Sequence, residues 1–160
     1  NRKPPFGAKR QMADSCSDCE RIELIKKQKD PYFIRESKTG YVVIGDNQRI
    51  KRHSLFLCKQ CVSELHLLAP EFRYGFLTEM SIAAEAVYKA FKPEKLNYEL
   101  LRVGGGVHMH GIYFPEETAI RPGPVWQLGK ELSSEKYRPS SEELAALKTQ
   151  LNIELDKLLL

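Results

Sequence analysis

The sequence lacks the long apolar run that a membrane-spanning helix requires. Such a helix needs about 18 or more consecutive apolar residues, and no stretch of the 160 residues approaches that length. The charged N-terminus also lacks the apolar segment of a secretory signal peptide. We therefore expect a cytoplasmic protein that has no membrane partner.

An excess of charge of one sign is also missing, because 25 basic residues face 21 acidic ones and the net charge is only +4. A duplex-binding protein usually carries a dense basic stripe. Here basic residues cluster only near the N-terminus, at Arg2, Lys3, Lys9 and Arg10. This favours a small anionic ligand over a nucleic acid duplex. We predict a disordered basic tail over residues 1–14 and a single domain over residues 15–160.

Cysteine is scarce, and its four copies form two pairs, Cys16-x-x-Cys19 and Cys58-x-x-Cys61. In a reducing cytosol, pairs at this spacing favour metal ligands over disulfides. Zinc takes four tetrahedral ligands from thiolate and imidazole groups. The simplest interpretation of the spacing alone is one zinc site made from all four cysteines.

Cys58 leaves a second interpretation open, because it ends the apolar run Leu-Phe-Leu-Cys. A cysteine in such a run is usually a small buried hydrophobic residue. The ligands would then be Cys16, Cys19, Cys61 and one histidine, either His108 or His110. A third possibility is that neither Cys58 nor Cys61 binds a metal.

The periodicity of apolar residues predicts an α+β fold. A long helix is indicated between Pro70 and Pro93, where apolar residues recur every three or four positions, and Ser140 with Glu143 fits a capping box. We expect an antiparallel sheet of about five strands, with the long helix packed on one face and a C-terminal helix. The predicted ranges are a helix at 20–29, strands at 32–36, 41–46, 54–59, 96–103 and 107–114, an irregular arm at 115–139 and a C-terminal helix at 140–160.

Two of the four histidines, His108 and His110, occupy alternate positions of the last predicted strand. Alternate residues share one face of a strand, so both imidazoles are candidates for metal ligands or nucleophiles. The glycines before them, at positions 104–106, let a backbone approach a phosphate closely, although such a run also forms ordinary turns. The other two histidines, His53 and His66, are expected at the surface or its boundary.

The order of these features resembles the histidine triad (HIT) superfamily, and most closely its bacterial proteins similar to diadenosine-tetraphosphate hydrolases. The resemblance covers roughly residues 15–150. It is carried by the segments CSDCERIELIKKQKDPYFIRESKTGYVVIGD, LFLCKQ, EFRYGFLTEMSIAAEAVYKAFKPEKLNYELL, HMHGIYFP, GPVW and RPSSEEL. It implies a HIT-like fold and a nucleotide or dinucleoside polyphosphate as the ligand.

The resemblance implies a role for each residue of the histidine motif. The first two histidines of the triad correspond to His108 and His110, and the middle one, His110, would attack the α-phosphorus of a nucleotide. Together with the glycines that let a backbone approach a phosphate, the expected nucleotide-binding residues are Gly104, Gly105, Gly106 and His110.

The resemblance also implies a structural zinc ion and a homodimer. In zinc-bearing relatives the ligand positions correspond to Cys16, Cys19, Cys61 and His108, which leaves Cys58 in the core. Cys61 stands where those relatives carry a histidine, and this exchange is conservative for zinc.

Two departures from the motif bear on activity. Ile112 stands at the third triad position and cannot donate a hydrogen bond to phosphate, a contact worth about 3 kcal/mol by analogy with an oxyanion donor. Glu116 stands where an arginine would neutralise phosphate charge. Two functions remain: a nucleotide hydrolase or nucleotidyltransferase acting through His110, or a nucleotide-binding or interaction protein that keeps the fold and the zinc.

Overall fold

The computed structural model of the protein describes residues 16–100, 110–116 and 134–158. The predicted basic tail, His108, the glycines at 104–106 and most of the predicted arm lie outside the described residues. Within them, no helix combines the length and apolar character needed to cross a membrane.

Five antiparallel strands form one sheet in the order β1-β2-β3-β5-β4. This confirms the predicted fold class and the predicted number of strands. The strands are β1 (Phe33–Glu36), β2 (Gly40–Ile44), β3 (Ser54–Cys58), β4 (Lys95–Leu100) and β5 (His110–Glu116).

Three α-helices accompany the sheet: α1 (Ser17–Lys26), α2 (Pro70–Phe91) and α3 (Ser141–Leu158). Short 3-10 helices lie at Leu65–Leu67 and Glu135–Tyr137. The prediction for α2 is confirmed, with Pro70 in its first turn. The prediction of 20–29 for α1 was wrong in its bounds, because the helix begins directly after Cys16 at its N-cap. At the start of α3, the Glu143 amide donates to Ser140 Oγ at 3.2 Å, which is half of the predicted capping box.

The last strand extends further than predicted. Pro115 and Glu116 pair with Leu96 and Lys95 of β4, so the irregular arm cannot begin at residue 115. Pairing with β3 has already ended at Tyr113. Proline has no amide hydrogen to donate, and it is tolerated in a strand where no second neighbour needs that donor.

The sheet buries both of its faces, because successive strand residues point to opposite sides. On one side, Val42, Ile44, Phe56 and Cys58 pack in a core with α2 and α3. There the rings of Phe56 and Phe76 stack with centroids 5.4 Å apart. On the other side, a smaller cluster joins the sheet to α1, and its buried members are Ile22, Ile25, Tyr41, Val43, Leu55 and Leu57. We call this second side the α1 side.

Helix α1 buries little apolar surface, since only Ile22 and Ile25 of its residues are buried. Polar contacts add to its attachment. The Arg21 Nε atom lies 3.1 Å from Asp30 Oδ2, and Arg21 Nη2 donates to the Ile44 carbonyl oxygen at 2.8 Å. A helix that has so small an apolar face depends on such contacts at its surface and at its ends.

Candidate functional site

Three thiols meet at the N-terminus of α1. The Sγ atoms of Cys16, Cys19 and Cys61 all lie within 4.8 Å of one another. Cys16 is the N-cap of α1 and Cys19 lies in its first turn. Cys61 lies beyond the last residue of β3, Cys58. The structure therefore brings together three of the four predicted metal ligands from two separate parts of the chain.

The end of β3 explains how Cys61 reaches the helix. The Lys59 amide still donates to the Thr39 carbonyl oxygen at 2.9 Å, which extends the β2–β3 ladder by one residue. The chain then leaves the sheet, and Cys61 is exposed whereas Cys16 is buried. The cluster is therefore open to solvent on the Cys61 side.

Cys58 does not belong to the cluster, so the four-cysteine interpretation of the spacing is wrong. Its side chain is 0% exposed and packs in the core on the side of α2. Its neighbour Leu57 belongs to the α1 side, and adjacent strand residues point to opposite faces. Burial raises the pKa of the Cys58 thiol to about 11, as expected for an inert structural cysteine.

The thiols of Cys19 and Cys61 resist ionisation in the cluster. Burial raises the pKa of Cys19, and hydrogen bonds with Cys61 and Cys16 together with their charges raise it further. Burial also raises the pKa of Cys61. A cation bound among the three sulfur atoms would reverse this effect, because it stabilises thiolates.

The cluster fits a zinc ion. Tetrahedral zinc with Zn–S bonds of about 2.3 Å separates its sulfur ligands by about 3.8 Å, and the three Sγ atoms here lie within 4.8 Å of one another. Three soft thiolate donors also match the ligand preference of zinc. The predicted fourth ligand, His108, lies outside the described residues.

Strand β5 begins at the second histidine of the motif. His110 pairs with Leu57 of β3, and Ile112 pairs with Leu55. Residues paired across an antiparallel ladder occupy the same face of a sheet, and Leu55 and Leu57 belong to the α1 side. The strand register therefore assigns positions 110 and 112 to the α1 side of the sheet. The helix that carries Cys16 and Cys19 lies on the same side.

The two remaining histidines lie where the sequence predicts. His66 is exposed and His53 is half-buried, with its Nδ1 atom 3.2 Å from the Asn47 carbonyl oxygen. Arg21 and Asp30 attach α1 to the rest of the chain, and no sequence motif includes them. No local pattern marks two opposite charges nine positions apart.

No family model and no curated protein matches the sequence. Solved structures of histidine triad proteins do match the fold. One from Marinobacter aquaeolei VT8 has a TM-score of 0.67 and 22% identity, covering 79% of this chain and 89% of its own. Another, from Sinorhizobium meliloti 1021, has a TM-score of 0.65 and 21% identity, covering 90% of this chain and 98% of its own.

A Zn-bound histidine triad family protein from Mycobacterium smegmatis also matches. Its TM-score is 0.58 at 19% identity, and the match covers 89% of this chain and 96% of that one. The chain described here therefore has the histidine triad fold, as the sequence predicts.

Proposed function

We propose that this protein is a HIT-type nucleotide hydrolase or nucleotidyltransferase that cleaves a phosphoanhydride or phosphoramidate through His110. The observation that supports this most is the position of His110 at the start of β5, paired with Leu57 in a sheet of the histidine triad fold. A strand position holds a nucleophile more rigidly than a loop position does. The ligand would be a nucleotide or a dinucleoside polyphosphate.

In the proposed reaction, an imidazole nitrogen of His110 attacks the α-phosphorus of the nucleotide. The bond between that phosphorus and the leaving group breaks, and a covalent nucleotidyl-His110 forms. Water or a second substrate then attacks the same phosphorus and releases the imidazole. This sequence replaces one difficult displacement with two easier ones. Gly104, Gly105 and Gly106 would offer backbone amides to the phosphates.

The neighbours of His110 along the strand support a second candidate, a catalytically impaired nucleotide-binding or interaction protein. Ile112 pairs with the apolar Leu55 and cannot donate to a developing phosphoryl charge. Glu116 stands where the resemblance implies an arginine that would neutralise phosphate charge, and a like charge at that position would weaken the binding of an anionic ligand. A protein that lost catalysis in this way would still keep the fold and the nucleotide site.

The proposed zinc site consists of Cys16, Cys19, Cys61 and His108. When bound, the ion would cross-link parts of the fold and would take no part in the reaction of the substrate. The clustering of three thiols supports this proposal. The small apolar face of α1 supports it too, because a structural ion at the N-cap would fix a helix that packing alone holds weakly.

The compartment and the oligomeric state are also proposals. None of the four cysteines forms a disulfide, and four thiols together with a thiolate metal site fit the reducing cytoplasm. A homodimer is supported by β4, which lies at one end of the described sheet and exposes Tyr98 and Leu100. Strand edges with exposed apolar side chains are commonly covered by a partner.

The test is product formation from adenosine and guanosine nucleotides, including dinucleoside polyphosphates. Wild type, His110→Ala and His66→Ala are compared, because His66 is an exposed histidine on a separate 3-10 helix. We expect turnover in wild type and His66→Ala, and its loss in His110→Ala. No turnover in any of the three would reject the hydrolase and leave nucleotide binding, measured by calorimetry, as the function. Turnover gained by Ile112→His with Glu116→Arg would then show that these two residues had removed it.

A further inference from the structure

The three clustered thiols differ in their access to solvent. Cys16 is 7% exposed, Cys19 is partly buried and Cys61 is exposed. We propose that Cys19 and Cys61 form a peroxide-sensitive pair, which hydrogen peroxide oxidises to a disulfide with release of the bound metal. This inference rests on the proposed zinc site and adds a modification site to it.

Exposure selects Cys61 as the first thiol to react. Oxidation of cysteine follows both thiolate character and access, and a zinc-bound cysteine is held as a thiolate. Cys61 is exposed and would also be a zinc-bound thiolate, whereas Cys16 is buried at the N-cap of α1. A histidine at position 61 would also bind zinc, but its imidazole would not form a sulfenic acid. The thiol at this position therefore creates the sensitivity.

The reaction balances with hydrogen peroxide as the oxidant. The Cys61 thiolate attacks one peroxide oxygen, the O–O bond breaks, hydroxide leaves and Cys61 becomes a sulfenic acid. The Cys19 thiolate then attacks that sulfur, the S–O bond breaks and a second hydroxide leaves. Two thiolates lose two electrons to the peroxide, and two protons convert the hydroxides to water. The disulfide sulfurs carry no negative charge, so the metal loses two of its ligands.

Exposure favours Cys19 over Cys16 as the partner of Cys61. All three Sγ atoms lie within 4.8 Å of one another, so either thiol of α1 is close enough to react. Cys19 is the less buried of the two, and it therefore has the better access to the sulfenic acid at Cys61. The resulting disulfide would join the first turn of α1 to the segment after β3, so the helix would stay attached when the metal leaves.

The experiment treats zinc-loaded protein with hydrogen peroxide. A chromogenic chelator follows zinc release, and mass spectrometry maps disulfides after the remaining thiols have been alkylated in denaturant. We expect loss of the bound zinc together with a Cys19–Cys61 disulfide, while Cys16 and Cys58 remain thiols. A Cys16–Cys19 disulfide as the main product would overturn the proposal, and so would zinc release that leaves all four thiols reduced.

Two cysteine variants supply matched controls. Cys61→His keeps a zinc ligand but removes the exposed thiol, so peroxide-dependent zinc release should be lost. Cys58→Ala removes a thiol from the core and should leave the release rate unchanged. Release from Cys61→His at the wild-type rate would contradict the proposal. If Cys61→His does not fold, Cys19→Ser replaces it, and dimedone should then label the sulfenic acid trapped at Cys61.

Failure of the zinc proposal would be visible separately, as wild-type protein that binds no zinc before peroxide is added. Disulfide mapping of the reduced, metal-free protein would still decide whether Cys19 and Cys61 form the reactive pair.

Discussion

At the scale of single residues, Cys58 and Cys61 lie only three positions apart but have different roles. One is a core residue and the other is a proposed metal ligand. Cys58 ends β3 inside the core on the side of α2. Cys61 lies after the strand and joins the thiols of α1. A strand fixes the face on which each side chain lies. Cys58 is therefore held on the α2 side, whereas Cys61, which follows the strand, is not bound to either face of the sheet.

Removal of these two cysteines should have opposite effects on zinc. Cys61→Ala removes one ligand, and its zinc affinity should fall by at least about 100-fold, since even the loss of a group that only orients a ligand costs about 10–100-fold. Cys58→Ala should bind zinc with wild-type affinity. Competition with a chromogenic chelator measures both constants. Loss of zinc from Cys58→Ala alone would mean that the strand does not hold this residue in the core.

The thiol of Cys58 should react far more slowly in the native protein than in the unfolded chain. Its pKa is raised from 9.0 to about 11, so at pH 8 its thiolate fraction is about 100-fold lower than in the unfolded chain. Iodoacetamide at pH 8 should therefore label Cys58 at least about 100-fold more slowly in the native protein than in urea. The neutral thiol favours folding below pH 9, and this contribution is lost as the pH rises through about 11. Equal labelling rates in both states would contradict the burial of Cys58.

The sequence predicts the metal ligands only in part, and the reason is specific to β3. All five of its residues are buried, so the strand shows no alternation of apolar and polar residues that would reveal the face of Cys58. The spacing of the two cysteine pairs makes a four-cysteine site the simplest interpretation, and it leaves a three-cysteine site open. The fold resolves the choice, because α1 covers the face opposite to Cys58.

At the scale of elements, one carboxylate of α2 holds the turn between β1 and β2. Glu79 accepts hydrogen bonds from the amides of Lys38 and Thr39, both at 2.9 Å, and from Thr39 Oγ1 at 2.8 Å. Thr39 is only 4% exposed, so water cannot easily replace the carboxylate. The contact joins the long helix to a hairpin 40 positions earlier in the chain.

Removal of this carboxylate should destabilise the protein markedly. Glu79→Ala leaves buried donors of Thr39 without an acceptor, and the free energy of unfolding should fall by about 2–3 kcal/mol. Glu85→Ala on the same helix provides the control, because Glu85 forms only an exposed ion pair with Lys89 and should cost less than about 1 kcal/mol. Urea denaturation measures both. Equal effects of the two substitutions would show that the Glu79 contacts contribute little.

The elements differ in how well the sequence predicts their bounds. Helix α2 is predicted well because its apolar stripe is long and Pro70 and Pro93 enclose it. Helix α1 is predicted poorly because its apolar face is small and its N-cap is a cysteine rather than a serine or aspartate. The end of β5 is missed because a proline usually indicates a strand end, and only the pairing with β4 shows that it continues.

At the scale of the whole molecule, the two edge strands of the sheet differ in their contacts and exposure. Helix α3 contacts β1, where the Arg35 side chain binds Asn152 and Asp156 of the helix. At the other end, β4 exposes Tyr98 and Leu100, which are 57% and 45% exposed. An exposed apolar strand edge favours association with another chain. In the proposed homodimer, β4 contacts a second copy of this chain.

The homodimer predicts a sedimentation mass of twice the 18.4 kDa of one chain. Tyr98→Lys places a charge in the middle of the proposed interface and should shift the mass to that of a single chain, because strand edges that carry lysine resist pairing. Ile153→Lys is the control, since Ile153 is 50% exposed on α3, away from β4. Sedimentation equilibrium over a range of concentrations distinguishes the two states. A wild-type mass of one chain would reject the dimer, and dissociation by Ile153→Lys instead of Tyr98→Lys would move its interface to α3.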